Sequence, residues 1–107
     1  ASEVRNTPHD PELVSVEKAH QAVKDSRVQF VDVRTVEEFA AGHAVGTQNL
    51  PVETISENLA SLDKSKPVYL ICRTGRRSAN AAKILAEAGF TDVYDVKGGT
   101  VAWTEAG

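Results

Sequence analysis

Cys72 is the only cysteine of the chain, and it opens the segment Cys72-Arg73-Thr74-Gly75-Arg76-Arg77-Ser78. A sole cysteine forms no internal disulfide, so its sulfur is either core filling or a working thiol. At a strand end such a residue is most often filling, but here its neighbours reverse that reading. A helix starting near Ser78 points its unpaired N–H groups and positive dipole end back at the sulfur. Arg73, Arg76 and Arg77 add positive potential within five residues. Gly75 lets the loop curl so that successive amides converge on one centre as an anion nest. A free thiol titrates near pH ~8.5, and lowering that to ~6.5 requires about 2.7 kcal/mol, within reach of a helix end and two guanidinium groups. The chemistry is that of a sulfur nucleophile meeting a small anion.

The number of residues in the loop separates the reactions open to such a nucleophile. A cysteine phosphatase needs a phosphate-sized cradle, Cys, five residues, then Arg. Counted from Cys72, that place is Ser78, so Arg76 and Arg77 come too early for a phosphatase or an arsenate reductase. A ring one residue tighter suits a single sulfur atom carried on the cysteine. Disulfide exchange is weaker still, because there is no Cys-x-x-Cys and no resolving thiol.

Charge distribution points the same way. Between Asp63 and Glu87 there is no acid, yet Lys64, Lys66, Arg73, Arg76, Arg77 and Lys83 fall there, six of the chain's twelve bases. The rest of the chain holds six bases against fifteen acids. A cationic island in an acidic chain of net charge -3 fits one small anionic ligand and counts against nucleic acid.

The elements that must position this loop follow from periodicity and breakers. With 107 residues, 41% apolar and 25% charged, the chain has the size and composition of one folded domain. No apolar run approaches the ~20 residues of a membrane-spanning helix. Residues 1–12, with Asn6-Thr7-Pro8-His9-Asp10-Pro11, read as an irregular lead-in to a domain over 13–107. Leu13 and Val14 suit a short edge strand, and Ser15 caps a helix carrying Val16, Ala19, Ala22 and Val23 on one face. Val28 to Val33 is β-branched and reads as a central strand. Thr35-Val36-Glu37-Glu38 has the capping-box form and starts a short helix that Gly42 ends. Thr47 to Leu50 makes a third strand. Val52, Ile55, Leu59 and Leu62 recur at helical spacing and predict an amphipathic helix.

Val68-Tyr69-Leu70-Ile71 is apolar throughout, as for a strand buried on both faces of a parallel sheet. A helix then runs from about Ser78 to Ala88, stopped by Gly89. Val93 to Val96 is a fifth strand, and Gly98-Gly99 turns into a last helix holding Trp103. Strand and helix alternate, which predicts an α/β fold: a five-stranded parallel sheet with helices on both faces. Ligands of such sheets sit beyond the carboxyl ends of the strands, where Cys72 falls.

Taken together, these segments resemble a single-domain rhodanese, a thiosulfate sulfurtransferase or persulfide carrier. The resemblance rests on Asp32-Val33-Arg34 with Glu38-Phe39 and Gly42-His43, on Gly46, Asn49 and Leu50-Pro51, on the six-residue loop Cys72 to Arg77, and on Gly98-Gly99 with Ala102-Trp103. Ala44-Val45 and Thr47-Gln48 depart from the family pattern. The resemblance implies that Cys72 takes a sulfane sulfur from thiosulfate or a related donor and passes it to cyanide or a thiol, including a protein thiol. It implies that Arg73, Thr74, Gly75, Arg76 and Arg77 bind the donor and the terminal sulfur, with no metal and no organic cofactor. A non-catalytic interaction module of the same type is the alternative, opposed by the intact cysteine and the cationic loop.

Asp32 and Arg34 are each expected to serve in a buried ion pair or as a loop anchor, His43 to fix a loop and Trp103 to fill the core or its rim. A monomer or weak dimer is expected. Ala1-Ser2-Glu3 suits the end left by signal-peptide cleavage and equally a trimmed leader. The compartment is therefore open between cytoplasmic and, with a signal peptide removed, periplasmic or secreted.

Overall fold

A computed structural model describes residues 12–25, 27–44, 46–73, 76–90 and 92–106, without the side chains of 76, 105 and 106. The strands are β1 (Glu12–Val14), β2 (Gln29–Asp32), β3 (Gln48–Asn49), β4 (Val68–Ile71) and β5 (Val93–Val96). The helices are α1 (Val16–Ala22), α2 (Val36–Ala41), α3 (Arg76–Glu87) and α4 (Gly99–Ala106). All strand pairs are parallel, in the order β1-β5-β4-β2-β3, so β4 is the middle strand. Residues 1–11 of the expected lead-in lie outside the described residues, and Glu12 already belongs to β1.

The middle strand explains its own composition. All four residues of β4 are buried, and their alternation divides the core in two. Val68 and Leu70 pack with Val31, Val33, Val93 and the α3 residues Ala81, Ala82 and Leu85. Tyr69 and Ile71 pack on the opposite face with Val14, Ala19 of α1, Phe30 and Val96. Trp103 of α4 joins this second layer, its ring centroid 5.2 Å from that of Phe30 and 5.5 Å from that of His20. A sheet covered on both sides leaves the carboxyl ends of its strands as the place for a site.

Local signals set the helix starts. Ser15 Oγ accepts from the Lys18 amide, and Thr35 and Glu38 close a reciprocal capping box at the head of α2. The segment after β3 departs from the expected amphipathic helix: it forms two short 3-10 turns, Ile55–Glu57 and Leu59–Ser61. Asn58 breaks the run between them, with its side-chain amide donating to the Thr54 carbonyl. The apolar spacing still serves burial, because Ile55 and Leu62 are buried and Leu59 packs against them. Periodicity reported the buried face, not the hydrogen-bond pattern.

Candidate functional site

Cys72 follows the last residue of β4, at the carboxyl end of the middle strand. It exposes 1% of its surface and is part of the core between the sheet and α3. Its Sγ donates to Ser78 Oγ at 3.4 Å, and Ser78 Oγ donates to Asp95 Oδ1 at 2.5 Å. Ser78 is on α3 and fully buried; Asp95 is on β5 and 7% exposed. Burial pushes the Asp95 carboxyl above the ordinary carboxylate range, against the opposing pull of the Ser78 hydrogen bond.

The backbone around Cys72 is clamped by the start of α4. The Thr100 amide donates to the Cys72 carbonyl at 2.6 Å and the Val101 amide to the Arg73 carbonyl at 3.1 Å. Two of the unpaired N–H groups of a helix start thereby meet two carbonyls that leave the sheet ladder. Only glycine permits this approach at position 99. Its φ is +61°, and a Cβ there would collide with the carbonyl oxygens of both Cys72 and Arg73.

Charged groups form the rim. Arg77, the residue before Ser78 on α3, holds Glu38 of α2 with both terminal nitrogens, at 2.6 and 3.0 Å. Glu38 also accepts from the Thr35 amide and hydroxyl at 3.1 Å, so one carboxylate completes a helix cap and anchors an arginine. The Arg77 hydrogen bond, with those from Thr35, holds Glu38 down to about 2. Glu38 in turn raises the pKa of Arg77, and Cys72 adds a smaller contribution in the same direction. Beneath the rim, Arg34 is bonded to Asp32 through Nε and a terminal nitrogen at 2.8–3.0 Å, and that nitrogen also donates to the Gly42 carbonyl. Asn49 of β3 donates to the carbonyls of Asp32 and Arg34. This buried pair is the loop anchor expected from the sequence. His43 fixes the next turn, with Nδ1 2.8 Å from the Phe39 carbonyl and its ring stacked on that of Phe39.

A cavity of about 500 Å³ opens between α2, the residue after Cys72 and α4. Its walls include Glu38 and Ala41, the exposed side chain of Arg73, and Thr100 and Val101. Arg34 lines it too, with its charge already matched by Asp32. Arg73 and Arg77 therefore differ: one faces the cavity, and the other is paired with a carboxylate.

Of the expected site residues, the structure places Cys72, Arg73 and Arg77 around one strand end. Thr74 and Gly75 lie outside the described residues, as does the Arg76 side chain, whose backbone opens α3. Three residues were missed in these roles: Ser78, Asp95 and, as the partner of Arg77, Glu38. The first two carried a signal. Alternation puts Asp95 on the same strand face as the buried Val93, and helical spacing puts Ser78 in line with Ala81, Ala82 and Leu85. A polar residue on each of two facing apolar surfaces implies a bond between them. Among the described residues no three His, Cys, Asp or Glu side chains gather as a metal site, and no helix is long and apolar enough to cross a membrane.

The model of the rhodanese-like domain family matches residues 15–106. A thiosulfate sulfurtransferase of Shewanella oneidensis, GlpE, is 39% identical over 93 residues, which cover 87% of this chain and 92% of that protein. An uncharacterised protein of Bacillus subtilis, YqhL, is 38% identical over 77 residues, 72% of this chain and 61% of that longer protein. Among solved structures, the crystal structure of a rhodanese-like domain protein from Staphylococcus aureus superposes with a TM-score of 0.76 at 35% identity, covering 86% of this chain and 90% of that one.

Proposed function

We infer, because the chain belongs to the rhodanese-like domain family, that it is a sulfurtransferase acting through a persulfide on Cys72. The donor is thiosulfate or a related carrier of sulfane sulfur, and the acceptor is cyanide or a thiol, small or protein-borne. In the first half-reaction the Cys72 thiolate attacks the outer sulfur of thiosulfate. The sulfur–sulfur bond of the donor breaks, sulfite leaves with the bonding electron pair, and a persulfide anion remains on Cys72. In the second, the acceptor attacks the terminal sulfur. The persulfide bond breaks, its electron pair returns to Cys72 Sγ, and cyanide leaves as thiocyanate. Atoms and electrons balance without a cofactor or an external oxidant.

The observation that carries this reading is the position of the sole cysteine at the carboxyl end of the middle parallel strand, next to an arginine that faces a cavity. In this account Arg73 draws the dianionic donor into that cavity. Arg76 and Arg77 add to the field, and the amides from Arg73 through Thr74 and Gly75 to Arg77 hold the terminal sulfur anion. The test is turnover of thiosulfate and cyanide to sulfite and thiocyanate. Wild type turns over; Cys72→Ser, with an unchanged circular dichroism spectrum and melting curve, does not. Full activity in that folded variant overturns the reading.

A further inference from the structure

Asp95 is a buried carboxyl that sulfur transfer, as described above, does not use. Its environment is specific. Leu13 of β1 and Leu70 of β4 stand beside it in register, and Ser78 of α3 caps it. Among the described charged side chains on those elements, Glu12 pairs with Lys18, Arg77 is bound to Glu38, and Lys83 and Glu87 of α3 and Lys97 at the end of β5 are exposed. Cys72 is the titratable group that connects to Asp95 among the described residues, and it does so through one hydroxyl.

Both hydrogen bonds run in the same sense, thiol to hydroxyl and hydroxyl to carboxylate. We propose that Asp95 is the proton acceptor for Cys72, reached through the Ser78 hydroxyl. The step balances internally. The Sγ–H bond breaks and its proton bonds to Ser78 Oγ, while the former Ser78 proton bonds to Asp95 Oδ1. The product is a thiolate, an intact serine and a neutral carboxylic acid, with the net charge unchanged. One negative charge is shared by Cys72 and Asp95, which avoids placing two anions in one buried site. Desolvation makes the Asp95 carboxyl a stronger base than an exposed one, the direction this transfer needs. Asp95 does not touch the sulfur; it is a positioning residue for the proton. The proposal deepens the sulfurtransferase reading and rests on it for its biological use.

The test needs no sulfur donor, so its failure is separate from failure of that reading. Iodoacetamide alkylates the sole cysteine, and its rate is followed against pH in wild type, Asp95→Asn, Ser78→Ala, the double variant and Ser78→Thr. Burial slows alkylation equally at every pH, so the shape of the profile carries the result. Asp95→Asn and Ser78→Ala are each expected to slow alkylation about tenfold near neutral pH and to meet the wild-type rate in strong alkali. The double variant is expected to lose no more than either single one, and Ser78→Thr to regain the wild-type profile. An unchanged neutral rate, or a loss equal at all pH values, overturns the proposal. A second measurement covers variants that do not fold: the carboxyl carbon-13 shift of Asp95 is titrated by NMR in wild type and in Cys72→Ala. A curve broadened by coupling in wild type and reduced to one step in Cys72→Ala supports the shared proton. Identical curves overturn it.

Discussion

Arg77 and Ser78 are neighbours on α3, and each meets a carboxylate of opposite character. Arg77 turns outward to Glu38, a half-buried group held down to about 2 by a bidentate guanidinium. Ser78 turns inward to Asp95, a buried group raised by desolvation. The distance between them is one residue of helix, so the difference comes from surroundings and not from chemical type. At the rim, water and a cation stabilise the anion; under the sheet, burial raises the carboxyl's proton affinity against the pull of the Ser78 hydroxyl. The rim pair spends positive charge that would otherwise face an incoming anion, and the buried chain leaves a base within relay distance of sulfur.

The largest expected effect falls on the buried side. Gly99→Ala forces a Cβ against the Cys72 and Arg73 carbonyls at a positive φ, and is expected to cost about 2–5 kcal/mol in urea unfolding. A cost under about 0.5 kcal/mol would mean that the α4 clamp is not tight. Next, Ser78→Ala strips a buried hydrogen-bond partner from Asp95 and is expected to cost about 1–3 kcal/mol by the same measurement. At the rim, Glu38→Gln is expected to cost under about 1 kcal/mol, since that pair is partly in water. It also frees Arg77, and the KM for thiosulfate is expected to fall about two- to fivefold, with kcat little changed. A KM that stays the same would remove Arg77 from donor binding.

The smallest effect has the clearest sign. Glu38 has its folded pKa depressed, to about 2 from 4.5, so its contribution is full above pH 4.5 and is lost as pH falls towards 2. Asp95 has its folded pKa raised from 3.8, so the folded state binds the extra proton. Its contribution is full below that value and is lost as pH rises above it. Melting curves from pH 2 upward should therefore show wild type gaining on Glu38→Gln as pH rises, and losing ground to Asp95→Asn. Slopes of the same sign in both comparisons would erase the contrast between the two carboxylates.

Much of this arrangement was legible in the sequence where the controlling interaction is local. Thr35 and Glu38 are three residues apart and announce a cap; Asp32 and Arg34 are two apart and announce a pair. The continuous apolar run Val68 to Ile71 announced a strand covered on both faces, and its end located Cys72. What escaped is long in sequence and short in space. Glu38 meets Arg77 across 39 positions, and Ser78 meets Asp95 across 17. A capping carboxylate with a second partner looks the same in sequence as one without. The 3-10 turns after β3 escaped for a different reason: burial sets the spacing of Ile55, Leu59 and Leu62, while Asn58 decides how the backbone between them is bonded.

The central claim is that sulfur resides on Cys72 between two half-reactions, and one measurement addresses it directly. The protein is mixed with thiosulfate labelled in its outer sulfur, without acceptor, and the intact and digested chain is weighed. The account predicts one labelled sulfur per chain, on the peptide containing Cys72, with one sulfite released and the label removed by cyanide. A chain that gains no sulfur, or carries it away from Cys72, contradicts the account.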